Sequence, residues 1–309
     1  MAFRVTQQTT IQTALWHLNA KQTELAHIQD QVGSLKQINQ PSDDPSGTAR
    51  VLNLRTQTAH IERFIQNIST IRDIQEVSAS ALQSCGDLIV SAKQIVISAA
   101  NSTVDQDTRA VMAGQIEDVL KSIVQLANTK HRDTYLFSGT ATDTKPFDIT
   151  DIESANPVTY NGNGDTCKQF VDFQTKVDIY LSGSQVFHTG EDGDVFATLS
   201  EVRQLLLNSG GLTEEDQIAQ LSAIAEDLTD AHNQILNKVA RQGSQSQRMD
   251  TIAYRLEDEK LLLGNIISET EDADIAELIT KLKEKESALQ AALMAAGQII
   301  RPSLMQFLQ

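Results

Sequence analysis

Ile38-Asn39-Gln40-Pro41-Ser42-Asp43-Asp44-Pro45-Ser46-Gly47 is a stretch through which no helix can run, although helical patterns lead into it and out of it. Pro41 and Pro45 each remove a backbone donor and push the preceding residue away from helical dihedrals. Asn39, Ser42, Asp43 and Asp44 are residue types that satisfy exposed backbone groups in turns and at helix starts. Asp44 reads as an N-cap with Pro45 at the first helical position, where the missing N–H costs nothing. The adjacent carboxylates of Asp43 and Asp44 are therefore assigned to turn and cap, not to acid–base chemistry.

Upstream, the apolar positions repeat every seven residues. Ile11, Leu18, Leu25 and Val32 form one seam, and Ala14, Lys21, Ile28 and Leu35 form the other. That 3–4 alternation is a coiled-coil pattern with a polar interruption at Lys21, and so narrow a stripe needs a partner helix. Downstream, a helical pattern runs over about residues 48–100, and a third helix starts at Asp105 or Asp107 and ends near Lys130. At 1.5 Å per residue the second helix would be roughly 75 Å long.

The pattern changes at Tyr135. Residues 135–139 read as a short strand and turn, and 158–160 as a strand followed by an Asn161-Gly162-Asn163-Gly164 hairpin turn. Residues 170–173 and 177–181 alternate as half-buried strands do. This insert is expected to form its own small core from Phe147, Tyr160, Phe170, Phe173 and Tyr180. Helices return at Asp194. Thr213-Glu214-Glu215-Asp216 opens a second long helix that is expected to break at Gly264-Asn265. The last helix begins near Asp272, with Ile275, Leu282, Leu289 and Ala296 in one seam and Leu278, Lys285, Ala292 and Ile299 in the other, and Pro302 is expected to end it.

The economical way to bury these stripes is to lay the second half antiparallel on the first. The expected fold is mainly α: an elongated antiparallel helical bundle, with paired N- and C-terminal coiled-coil helices and a small β-rich insert. Five segments follow: an N-terminal assembly helix (1–40), two halves of a helical rod (41–134 and 194–268), the insert (135–193) and a C-terminal assembly helix (269–309).

Composition narrows the function. Aromatic residues make up only 5% of the 309 residues, which suits helix-on-helix packing. A formal charge of −16 argues against nucleic acid and anionic membranes as partners. No apolar run reaches the ~20 residues of a membrane span, and the polar opening residues do not read as a cleavable signal peptide. The six histidines have no zinc spacing, so no cofactor or metal is expected. Asp148, Asp151 and Glu153 match no calcium loop. Cys85 and Cys167 are expected to be free thiols. With no catalytic constellation, an enzyme is not expected.

Several stretches resemble the bacterial flagellin family. They are 39–47 (Asn-Gln-Pro-Ser-Asp-Asp-Pro-Ser-Gly), Tyr135-Leu136-Phe137-Ser138-Gly139-Thr140, the Glu271-Asp272-Ala273-Asp274 run before the last helix, and the closing Ala288-Leu289-Gln290-Ala291-Ala292 with Pro302-Ser303-Leu304. The paired prolines Pro41 and Pro45 look more like the hook-filament junction members of the family than like filament flagellin. The resemblance implies a structural subunit of the flagellum on the filament side of that junction, exported without a cleavable signal. It implies self-association into a ring, contact with a hook-side junction protein and flagellin, and an export chaperone. Filament flagellin is the alternative within the family, and a cytosolic coiled-coil adaptor is the alternative outside it. The implied assembly seams are Ile11, Leu18, Leu25, Ile28 and Val32 with Ile275, Leu282, Leu289 and Ile299. The family-motif turn is Asn39, Pro41, Ser42, Asp43, Asp44 and Pro45.

Overall fold

A computed structural model describes residues 7–187, 193–208 and 210–305, with side chains described between residues 9 and 297 of those ranges. The elements are α1 (Gln7–Ser34), α2 (Pro45–Ala99), α3 (Gln106–Ala127), β1 (Lys130–His131), β2 (Thr134–Tyr135), β3 (Phe147–Ile149), β4 (Val158–Tyr160), β5 (Lys168–Phe170), β6 (Lys176–Asp178), α4 (Gly183–Phe187), α5 (Val195–Leu207), α6 (Glu214–Glu271) and α7 (Ile275–Met305). The protein is mainly helical, with long helices packed on one another and three small antiparallel ribbons among the described residues. The chain divides after His60 and after Glu257 into two compact units.

In the unit spanning Ile61–Glu257, α2 and α6 run antiparallel. Their cross-links step in opposite directions along the two helices: Arg72 to Asp250 at 3.3 Å, Gln242 to Ser78 at 3.2 Å, His232 to the Gly86 carbonyl at 3.3 Å and Lys93 to Thr229 at 2.7 Å. Ile74, Leu82, Cys85, Ile89 and Val96 of α2 bury with Leu221, Ile224, Leu228 and Ile235 of α6. Each such side chain contributes about 1.5–3 kcal/mol when fully buried. Cys85 and Cys167 are both free, and burial pushes the Cys85 thiol up to about 12.

Caps set the helix starts. Asp105 accepts from the Thr108 amide at 3.1 Å to open α3, and its carboxyl lies below the usual range because Thr108 binds it. Asp194 accepts from the Phe196 and Ala197 amides to open α5. The Thr213 hydroxyl donates to the Asp216 carboxylate and accepts from the Asp216 amide, capping the start of α6.

The insert departs from expectation in four ways. The first strand pair is β1–β2, closed by Arg132 and Asp133, both at positive φ as a two-residue hairpin loop requires. Residues 136–139 lie outside it, with Leu136 and Phe137 buried. β4 pairs back onto β3, with Phe147 opposite Tyr160, so residues 161–164 do not close a hairpin. They form a connecting loop because Asn163 is already bonded to Thr140 and its carbonyl accepts from the Tyr160 hydroxyl at 2.9 Å.

Third, the predicted strands at 170–173 and 177–181 are shorter and shifted, to Lys168–Phe170 and Lys176–Asp178, because the Val171 amide turns back to Thr175. Fourth, the insert makes no core of its own. Phe147 packs on Phe187 and Phe196 within the same buried cluster as α2, α3, α5 and α6. Phe173 stacks edge-on against Phe64 of α2, and Phe170 stays 44% exposed. Two-stranded ribbons of two or three residues bury too little to stand alone, so their rings join the helical core.

Two expected helix ends are also absent. α6 runs unbroken past Gly264 and Asn265 to Glu271. A single glycine costs about 1 kcal/mol, too little to stop a helix bonded on both sides. The α7 backbone continues past Pro302 to Met305, although the proline forfeits one bond of the ladder there.

Candidate functional site

The second unit contains α1, the start of α2, the end of α6 and α7. α1 ends at Ser34, and Leu35 takes a left-handed conformation (φ 60°) that turns the chain. Lys36 then forms an antiparallel bridge with Asp272, flanked by the Gln37 amide on the Glu271 carbonyl (2.8 Å) and the Ala273 amide on the Leu35 carbonyl (3.0 Å). The Gln37 side chain adds a bond to the Thr270 carbonyl at 2.9 Å. The segment after α1 is thus stitched to the segment before α7.

Glu271 is the hub of this clasp. Its side chain is only 9% exposed, and it accepts from Lys36 Nζ at 2.8 Å and from Arg55 Nη2 at 2.6 and 2.9 Å. A nearly buried carboxylate held by two cations keeps its charge compensated without water.

The motif turn stands beside the clasp, organised by Asp43. Its Oδ2 accepts from the Asn39 amide (3.0 Å) and the Gln40 amide (2.9 Å), and its Oδ1 meets His27 Nε2 of α1 at 2.9 Å. The His27 bond, followed by the Gln40 amide, holds the Asp43 carboxyl below the usual range. Asn39 accepts from Ser34 Oγ at 2.7 Å. Asp44 caps α2 as the sequence implies, accepting from the Ser46 amide and hydroxyl at 3.0 and 2.8 Å, with Pro45 at the first helical position. Its carboxyl is likewise held low, chiefly by the Gly47 amide. Gly47 is required by close approach, because a Cβ would collide with Asp44 and lie 2.7 Å from Ile38 Cδ1. Pro41 and Ser42 sit exposed at the tip. An open cleft of about 280 Å³ runs along this face, lined by Gln31, Asp43, Asp44, Asp274, Glu277 and Lys281.

Further along, α1 and α7 pack antiparallel. Lys21 and Lys285, the interruptions in the two seams, meet on one carboxylate: Glu24 lies 3.0 Å from Lys21 and 2.8 Å from Lys285. The two lysines, Lys285 first, hold the Glu24 carboxyl low, and Glu24 raises Lys285 in turn. Among the seam residues, Ile28 is 8% exposed, while Ile11, Leu18, Leu25, Val32, Leu282 and Leu289 are half-buried. Ile275 is 51% exposed, and Leu278 takes the buried position in that turn. The Ile299 side chain lies outside the described residues.

Sequence reasoning placed Glu271 in the 271–274 run without its role as hub, and missed Arg55, Lys36, His27 and Glu24. Only Glu24 carried a signal, three residues after the seam lysine Lys21. No group of His, Cys, Asp and Glu among the described residues is placed to hold a metal, and no described helix is long and apolar enough to cross a membrane. The arrangement is one of clasps and packing faces, suited to holding two terminal helices together.

The model of the bacterial flagellin N-terminal helical region matches residues 5–142, which include α1, the motif turn, α2 and α3. That match spans somewhat under half of the chain. It resembles flagellar hook-associated protein 3 of Escherichia coli (strain K12), at 24% identity over 98% of this chain and 99% of that protein. The hook-associated protein 3 of Salmonella typhimurium is 22% identical over 94% of each chain. Solved structures share the fold. A putative flagellar hook-associated protein from Vibrio parahaemolyticus superposes with a TM-score of 0.66 at 20% identity, covering 74% of this chain and 100% of that one. The flagellar junction protein FlgL from Legionella pneumophila does so with a TM-score of 0.59 at 15% identity, with the same coverage. The clasp joins residues 35–37, just before the motif turn, to residues 271–273 of the second motif.

Proposed function

We propose that this chain is a structural subunit of the bacterial flagellum, forming the hook-filament junction on its filament side and acting by assembly, not catalysis. The observation that carries the reading is the end-to-end correspondence with flagellar hook-associated protein 3, spanning 98% of this chain and 99% of the relative. The clasped terminal helices support it, since such a subunit must present both chain ends to its neighbours. In this reading, residues 1–40 and 269–309 are assembly helices of coiled-coil type, 41–134 and 194–268 carry the load between them, and 135–193 is a surface insert. The half-buried seam of Ile11, Leu18, Leu25, Val32, Leu282 and Leu289 is completed by neighbouring copies in a ring, with Ile275 already facing outward for them. Asn39, Pro41, Ser42, Asp43, Asp44 and Pro45 set the direction in which α2 leaves the assembly helices.

The partners are then further copies of the chain, a hook-side junction protein, flagellin and an export chaperone, at an extracellular site reached by type III export. A deletion strain is the test. Bare hooks with flagellin released to the medium are expected, restored by the wild-type chain but not by Leu25→Asp or Leu289→Asp, which place an unpaired charge in the seam. A deletion strain that still grows full filaments would overturn the reading.

A further inference from the structure

Asn161-Gly162 and Asn163-Gly164 stand side by side in the loop after β4, and the fold treats the two pairs differently. An asparagine followed by glycine is chemically labile. The glycine amide, unhindered by a Cβ, attacks the side-chain carbonyl carbon and closes a five-membered ring. How fast it does so depends on how firmly the asparagine side chain is held.

Asn163 is gripped at every polar atom. Its amide donates to the Ser138 carbonyl at 3.1 Å, its Oδ1 accepts from the Thr140 amide at 2.8 Å, and its Nδ2 donates to Thr140 Oγ1 at 2.6 Å. Its carbonyl accepts from the hydroxyls of Tyr160 and Ser182. Asn161 is exposed, and its side chain makes one bond, from Nδ2 to Asp148 Oδ2 at 3.0 Å. That carboxylate is itself 49% exposed and shared with Lys145, so water competes for it. The Gly162 and Gly164 amides both lack an acceptor among the described residues, so the difference between the pairs lies in the asparagine side chains. Gly162 is also fixed by the fold, because a Cβ there would collide with the Tyr160 hydroxyl. That hydroxyl is pinned between the Phe137 and Asn163 carbonyls at 3.0 and 2.9 Å.

We infer that Asn161 is a site of spontaneous deamidation, while Asn163, two residues on, is protected. The Gly162 nitrogen gives its proton to solvent base and bonds Cγ of Asn161. The Cγ–Nδ2 bond breaks, and ammonia leaves with a proton from water. Water then opens the succinimide at either carbonyl, which yields aspartate or isoaspartate. One water is consumed, one ammonia is released, and nothing is oxidised or reduced. The new carboxylate replaces the donor that faced Asp148, so two negative charges meet where a hydrogen bond stood. Isoaspartate also lengthens the backbone by one methylene beside the Asn161 amide, whose bond to the Pro146 carbonyl (2.7 Å) extends the β3–β4 ladder. Modification therefore loosens that ribbon at its Phe147–Tyr160 end. The inference uses only the insert and stands apart from the junction reading.

The full-length protein is held in mildly alkaline buffer and sampled over time by peptide mass mapping. The folded chain should gain one mass unit at Asn161, in aspartyl and isoaspartyl forms separated by chromatography. Folded Asn163 should lag by about tenfold or more, as expected when two further hydrogen bonds must open. In urea the two asparagines should react at similar rates. Thr140→Ala removes the bond to Asn163 Nδ2 and should speed Asn163 about fivefold in protein whose circular dichroism is unchanged. Asn161→Gln should abolish the mass gain at that position, since glutamine would have to close a larger ring. The inference fails if Asn161 stays intact in the folded chain while it reacts in urea, or if folded Asn163 reacts as fast as Asn161. The wild-type comparison of folded and urea-unfolded protein decides this even if Thr140→Ala does not fold.

Discussion

Replacing Glu271 with alanine tests whether the clasp holds the terminal helices. The carboxylate makes charge-assisted bonds to Arg55 (2.6 and 2.9 Å) and Lys36 (2.8 Å) and is 9% exposed, but its partners are not buried. Arg55 and Lys36 side chains are 53 and 38% exposed, so water takes them back when the carboxylate is removed. A fully buried pair would cost about 3–5 kcal/mol to break. Solvent screening reduces each pair here to about 0.5–1 kcal/mol. The substitution should therefore cost about 1–2 kcal/mol, and a double-mutant cycle with Arg55→Ala should return a coupling of about 1 kcal/mol. Because the backbone bridge at Lys36 and Asp272 adjoins Glu271, the loss should concentrate in α1 and α7. Hydrogen exchange should show protection falling about five- to thirtyfold there, with the Ile61–Glu257 unit unchanged. Unchanged protection in α1 and α7, or a loss spread evenly over the chain, would refute the argument.

Other outcomes are equally specific. Arg109 is 2% exposed and donates to the Ala99 carbonyl (3.1 Å) and Gln217 Oε1 (2.9 Å), so Arg109→Met should orphan both acceptors and destabilise by about 3 kcal/mol in urea unfolding. Leu35→Gly should stabilise by up to about 1 kcal/mol, since Leu35 sits at φ 60° and is half exposed; a lower thermal midpoint would contradict this. The Asp43 carboxyl is depressed in the folded chain, so its contribution is present above the unfolded carboxylate range and lost as pH falls through its lowered value. Acid titration of Asp43→Asn should accordingly lack part of the wild type's loss of stability as the pH falls below the ordinary carboxylate range. A thiol reagent should label Cys167 at once in the native protein and Cys85 only after unfolding, because Cys85 is buried with its thiol near 12.

Local chemistry was legible wherever it is short-range. The Asp44–Pro45 start of α2, a helix start at Asp105 or Asp107, the return of helix at Asp194 and the capping residues at Thr213–Asp216 were readable, since a cap bonds within four residues of itself. The heptad stripes announced that α1 and α7 each need a partner helix. Sequence rules did worse where a local signal competes with long-range contacts. Asn161-Gly162 reads as a hairpin turn, yet Asn163 is claimed by Thr140, twenty-three residues away. Gly264 reads as a break, yet a long helix absorbs it.

The sequence by itself determined the helical class and the places where the long helices start. These follow from periodicity and from turn residues, which act over one or two turns of chain. Only the tertiary structure decided that Glu271 is gripped by Lys36 and Arg55, that the two seam lysines share Glu24, and that the insert's rings serve the helical core. Glu271 carries no period and no local partner. Its role is fixed by residues that lie more than two hundred positions away along the chain and within 3 Å in space.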